Sequence, residues 1–191
     1  MILYLHGFRS SPASFKARAM QAFMEQQGRA ADFVCPQLSP SPKIAIEQSL
    51  SLIEGIPASE LTVIGSSLGG YYATWLAEHT GCRAVVVNPA VKPPRELESY
   101  VGTTTYYHSN EVFEFLPEYV DELRALAVSG ITRPERYFLM ASTGDEVLDY
   151  REMLSYYHGA MQMIIQGSDH GIAEFADHLP FVLQFCDRRY G

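Results

Sequence analysis

Leu61-Thr62-Val63-Ile64-Gly65-Ser66-Ser67-Leu68-Gly69-Gly70-Tyr71-Tyr72-Ala73 joins a short apolar run to a longer amphipathic one through the pentapeptide Gly-x-Ser-x-Gly. The apolar run has the length and β-branched content of a buried strand, and the segment after the glycines has helical character. A sharp strand-to-helix turn holds its central residue in a strained backbone conformation. Side chains two positions to either side would collide there, so both must be glycine. The pentapeptide alone is a weak signal. A strand before it and a helix after it make it a strong one, with the Ser67 hydroxyl raised at the carboxyl edge of a sheet and at a helix amino terminus that favours developing negative charge. Ser66 lacks glycines at both flanking second positions, which leaves Ser67 at the apex.

Outward from this turn the chain alternates short apolar runs with amphipathic ones, the pattern of a parallel sheet with crossover helices. Strands are expected over 2–5, 31–35, 61–64, 84–87, 137–140 and 161–165, and helices over 14–27, 42–54, 68–79, 117–127, 149–157 and 172–188. Several strand runs are continuously hydrophobic, as helices covering both faces require. The expected fold class is therefore α/β, three-layered, around a minimal, mostly parallel six-stranded sheet. Gly28 is placed to stop the first helix and Pro42 to start the second. One segment breaks the rhythm. Residues 91–133 contain Pro93-Pro94, the polar stretch 102–110 and the aromatic patch Val112-Phe113-Glu114-Phe115-Leu116, and are expected to form a lid insertion on a single domain of 1–191.

Composition bounds the function. Hydrophobic residues make up 47% of the chain and charged ones 19%, ordinary for a globular domain. A formal net charge of -8, from 14 basic and 22 acidic residues, repels phosphate backbones and argues against nucleic-acid binding. Cys35, Cys82 and Cys186 are far apart and match neither a disulfide framework nor a metal-ligand spacing, which favours a reducing compartment. The apolar opening Met1–Phe8 lacks a basic leader, sufficient length and a small-residue cleavage site. No run approaches the roughly 20 apolar residues of a membrane span, so a cytoplasmic location is expected. Oligomeric state leaves no signature in the composition.

A serine hydroxyl needs a base to become a nucleophile. Of six histidines, His170 lies in Gln166-Gly167-Ser168-Asp169-His170-Gly171, after the last strand and before the last helix. This puts it at the same sheet edge as Ser67, in the order nucleophile, acid, base that such turns use. His79 ends a helix and His178 falls within one, while His108 and His158 lie in polar or lid regions. The acid that orients the imidazole is expected after the fifth strand, where Asp145 follows Gly144; Glu146 and Asp149 compete, and Asp149 could instead cap the next helix. His6-Gly7-Phe8 follows the first strand, so the Phe8 amide, with that of Leu68, can form an oxyanion hole. His6 is expected to pin that loop. Arg9 is a candidate for pairing with an acidic substrate group. Phe113 and Phe115, with Tyr106 and Tyr107, are candidates for an apolar acyl pocket.

These residues together resemble the α/β-hydrolase superfamily over essentially the whole chain, and more closely the small bacterial YqiA-type esterases. The resemblance is carried by Ile2–Phe8, Gly65–Ala73, Val87-Asn88-Pro89-Ala90, Thr143–Tyr150 and Gly167–His170, in that order. It implies a minimal hydrolase that begins at the strand carrying the oxyanion loop, acting on esters, with acyl-coenzyme A thioesters as plausible substrates. Asp149 stands where many relatives outside that subgroup have proline. The expected chemistry is two-step acyl transfer on a small-molecule ester or thioester, needing neither metal nor cofactor. Amide or lactone cleavage and a non-catalytic binding module are the rival readings. Aspartate at the elbow would have indicated a dehalogenase or epoxide hydrolase, and Ser67 argues against both.

Overall fold

The computed structural model describes residues 1–107 and 111–188. Six strands form one wholly parallel sheet: β1 (Ile2–Leu5), β2 (Phe33–Val34), β3 (Thr62–Ser66), β4 (Arg83–Val87), β7 (Tyr137–Ser142) and β8 (Met161–Ile165), in the order β2-β1-β3-β4-β7-β8. Between β4 and β7 a separate antiparallel pair, β5 (Gly102–Thr105) and β6 (Val112–Phe115), forms a two-stranded unit. The helices are α1 (Phe15–Gln26), α2 (Pro42–Leu52), α3 (Leu68–Thr80), α4 (Pro93–Leu97), α5 (Pro117–Ala125), α6 (Tyr150–Tyr156) and α7 (Phe175–Cys186). No helix among the described residues is long and apolar enough to cross a membrane.

Strand side chains alternate between two cores because successive residues face opposite sides of the pleat. Leu3, Leu5, Val63, Val86 and Leu139 pack toward α2, α3, α5 and α6, whereas Ile2, Tyr4, Ile64, Val85, Val87 and Phe138 pack toward α1 and α7. Both faces are thus covered, which accounts for the continuous hydrophobicity of β1, β3, β4 and β7. The helix ends follow their local signals. Ser41 caps α2 by accepting from the Ile44 amide at 3.2 Å, with Pro42 next, and Gly81 ends α3 in the left-handed conformation.

The structure departs from the expected elements at one strand and adds others within the insertion. The strand expected over 31–35 shrinks to Phe33–Val34, because Ala30–Asp32 wind into a single 3₁₀ turn. Pro93-Pro94, within the insertion, opens the short helix α4, where proline at the first helical positions sacrifices no hydrogen bond. The polar stretch from Gly102 supplies β5, whose outward-facing threonines conceal the strand. The register from Ile2↔Thr62 through Ser66↔Val87 to Ser142↔Ile165 brings the strand carboxyl ends into one row. Strand order reverses direction between β1 and β3, the switch point beside which open α/β sheets take their ligands.

Candidate active site

Ser67 follows β3 directly and has φ 55° and ψ -121°, a conformation costly for any residue but glycine. The turn is locked from several directions. The Ser67 amide donates to the Val87 carbonyl at 3.0 Å, and the Gly70 and Ala90 amides donate to the Ser67 carbonyl at 2.9 and 3.0 Å. A methyl group on Gly65 would lie 2.1 Å from the Gly69 carbonyl oxygen, and one on Gly69 would lie 2.0 Å from that of Leu5. Glycine at both positions is therefore a steric requirement of this backbone.

Asp145 and His170 approach from the loops after β7 and β8. Asp145 Oδ2 accepts from His170 Nδ1 at 2.8 Å, with the Asp145 side chain fully buried and that of His170 20% exposed. The other Asp145 oxygen accepts the Val147 and Leu148 amides, each at 2.8 Å. A carboxylate so held can rotate little, and a proton on Nδ1 leaves Nε2 as the basic nitrogen. The two loops touch at Gly144, where a methyl group would lie 2.8 Å from the Ser168 carbonyl oxygen. Asp149 caps α6 by accepting from the Arg151 amide at 2.9 Å, and Glu146 accepts the His170 amide at 3.0 Å. Of the three acids, only Asp145 meets the imidazole. Among the described residues no hydrogen bond joins the Ser67 hydroxyl to His170, a contact that often closes only when substrate is bound.

The loop after β1 lies against Ser67: a methyl group on Gly7 would be 3.1 Å from Ser67 Cβ. His6 is buried and bridges two loops, accepting the Leu38 amide on Nε2 at 3.1 Å and donating from Nδ1 to the Gly7 carbonyl at 3.0 Å. Burial lowers its pKa, with the Gly7 contact opposing, so it stays a neutral strut. Among the described residues neither the Phe8 nor the Leu68 amide donates to a protein acceptor, as an oxyanion hole requires. The Phe8 ring packs edge-on against Tyr100, Phe113 and Phe115 of the insertion.

The remaining candidates are distributed unevenly. Arg9, with φ 59°, turns to β5, donating from Nε to the Thr105 carbonyl at 2.6 Å and stacking over the Tyr107 ring at 4.5 Å. Its charge is therefore engaged by the insertion. Phe113 lines a narrow cavity of about 30 Å³ with Phe8, Leu68, Tyr72 and Tyr106, whereas Phe115 is 1% exposed and belongs to the core beneath. A larger hollow bordered by Ile53, Ile56, Leu61 and Thr80 lies at the amino ends of the strands and holds none of these residues. Ligands of open α/β sheets bind at the opposite edge. His108 falls outside the described residues.

Sequence reasoning missed the residues that hold the histidine loop. Asn88, with φ 40°, follows β4; its Nδ2 donates to the Ser142 hydroxyl at 2.7 Å and to the His170 carbonyl at 3.1 Å, and its Oδ1 accepts the Ser142 amide. Asparagine directly after a strand was the available signal, since it tolerates left-handed backbone.

Over residues 1–187 the sequence matches the uncharacterised protein family UPF0227. The chain belongs to that family. A UPF0227 protein of Shewanella sediminis (strain HAW-EB3) is 24% identical over 187 residues, covering 97% of this chain and 98% of its own. Among solved structures, alpha/beta hydrolase domain-containing protein 10 from mouse is similar to this UPF0227 chain with TM-score 0.69 at 16% identity, covering 96% of this chain and 89% of its own. Est1E from Butyrivibrio proteoclasticus, solved with ferulic acid bound, gives TM-score 0.67 at 13% identity, covering 97% and 85% respectively. At such identities the likeness establishes the fold, which is that of the α/β-hydrolases.

Proposed function

We propose that this UPF0227 protein is a serine esterase that hydrolyses carboxylic esters or acyl thioesters. The observation that carries the proposal is the 2.8 Å contact of His170 with the buried Asp145, one sheet edge shared with a Ser67 held at φ 55°. In this reading His170 Nε2 takes the Ser67 proton as the hydroxyl oxygen attacks the acyl carbonyl. The tetrahedral oxyanion rests on the Phe8 and Leu68 amides. His170 then gives the proton to the departing alkoxide or thiolate, leaving an acyl-serine that water cleaves by the reverse sequence. The acid is released, and no metal or cofactor enters.

The insertion serves as a lid in the same reading. Tyr106 and Phe113 line, together with Phe8 and Leu68, the narrow cavity beside the two amides. In this reading the β5–β6 pair borders the acyl site and contributes Phe113 to it. A fluorophosphonate probe should label Ser67 in the wild type and leave Ser67→Ala unlabelled. A graded panel of nitrophenyl esters and acyl-coenzyme A thioesters then defines the acyl preference. Retention of more than a few per cent of turnover in Ser67→Ala would remove the assignment.

A further inference from the structure

Lys16, the second residue of α1, plays no part in the reaction just described, yet its ammonium reaches the histidine loop. Nζ donates to the carbonyl oxygens of His170 at 3.2 Å and Gly171 at 3.0 Å. That loop is strained. Ile172, two residues beyond His170, is fully buried with φ 50°, a left-handed conformation that is a true outlier for a β-branched residue. Such a conformation persists only where surrounding contacts over-determine it. Asn88, after β4, donates to the carbonyls of Asp169 and His170, and Lys16, from α1, shares the His170 carbonyl and adds that of Gly171. Among the described residues Lys16 is the sole donor to the Gly171 carbonyl.

We propose that Lys16 is a positioning residue for His170, bracing from α1 the strained loop that presents the imidazole to Ser67; this rests on the serine-hydrolase reading above. The titratable groups facing the ammonium are Asp145, from the loop after β7, and Asp169, from the loop after β8. Burial pulls the Lys16 pKa down to about 8, with Asp145 and Asp169 acting in the opposite direction. Below that pH the ammonium is charged and donates strongly to both carbonyls. Above it the neutral amine is a weaker donor, and the positive field on Asp145 disappears. Turnover should therefore acquire an alkaline limb near pH 8.

The test compares wild type, Lys16→Met and Lys16→Arg in kcat/KM for a nitrophenyl ester across pH 6–10, alongside amide hydrogen exchange of residues 167–174. Wild type should show the alkaline limb. Lys16→Arg should retain most of the rate and lose the limb, because guanidinium keeps its charge throughout this range. Lys16→Met should lower kcat about tenfold or more with little change in KM, show no limb, and exchange the Ile172 amide faster. That amide donates to the Asp169 carbonyl at 3.2 Å, so its protection reports loop closure without turnover. Should Lys16→Met fail to fold, Lys16→Arg decides: loss of the limb supports the assignment, and a limb that persists near pH 8 overturns it. A wild-type pH profile and unchanged exchange in a Lys16→Met that fluorophosphonate still labels at Ser67 would overturn the Lys16 assignment alone. Failure of the probe to label wild-type Ser67 would overturn the hydrolase reading and the positioning role with it.

Discussion

Gly65 and Gly69 differ in kind from a glycine such as Gly28, whose added methyl group would meet nothing within 4 Å. At Gly65 the methyl group would penetrate the first turn of α3, whose backbone is fixed against β1, β3 and β4. Gly65→Ala should cost about 3 kcal/mol or more, read as a fall in the urea midpoint, because nothing in the contact can move aside. A midpoint within experimental error of wild type would mean the elbow is softer than its contacts imply. The acids separate by substitution as well. Asp145→Asn should lower kcat by about 10⁴-fold with folding intact, as expected when an imidazole loses the carboxylate that sets its tautomer. Asp149→Asn should leave kcat near wild type, because asparagine caps a helix as well as aspartate does. Equal losses from both would contradict the geometry. Ser67 was legible in the sequence because its constraint is local, five residues long and written in glycine. His170 and Asp145 were legible through their places after strands. Lys16 was not: one basic residue on the first turn of a helix reads as surface, and its partners lie more than 150 positions away in the chain.

At the scale of elements, the sheet and its helices were readable because periodicity repeats over each segment, whereas the insertion resisted. Its strands are four residues each, and Thr103-Thr104-Thr105 hides its alternation among residues of one polarity. Phe115 faces inward and Phe113 only half so, a division that aromatic content alone does not reveal. These two elements have different duties. Phe115 lies edge-on to Phe8 at 5.1 Å and to Tyr119 at 5.6 Å, so Phe115→Ala should cost about 3–5 kcal/mol, measured by thermal or urea unfolding. Arg9 instead fastens the loop after β1 to β5 at the surface through Thr105, while the Tyr107 amide donates back to the Arg9 carbonyl at 2.8 Å. Arg9→Ala should change global stability by less than about 1 kcal/mol and accelerate proteolytic cutting within residues 102–115. A selective loss of activity on acidic esters with unchanged proteolysis would return Arg9 to the substrate.

For the molecule as a whole, the far edge of the sheet bears on stability rather than chemistry. Glu78, near the end of α3, accepts from the Thr132 amide at 3.2 Å, from the Thr132 hydroxyl and from the buried Tyr137 hydroxyl, with Arg136 3.7 Å away. It thereby ties α3 to β7 and to the chain leaving the insertion. Burial alone would raise its pKa, but the hydrogen bonds from Thr132 and Tyr137, and Arg136 beyond them, hold it below the usual carboxylate range. A carboxyl group with a folded pKa below its unfolded value contributes stability that is complete above the unfolded value, about 4.3, and fades as pH falls through the folded one. Glu78→Gln keeps the shape and one acceptor oxygen but removes the charge. It should lose about 1–3 kcal/mol at pH 7, or roughly 2–4 °C in Tm for each kcal/mol. The gap between wild type and variant should narrow as pH falls below about 4, because protonation then makes the wild-type group as neutral as the amide. Thermal melts of both proteins between pH 3 and 7 provide the measurement. A gap that stays constant over that range would assign the contribution to shape and packing, and the carboxylate charge would then have no part in joining α3 to β7.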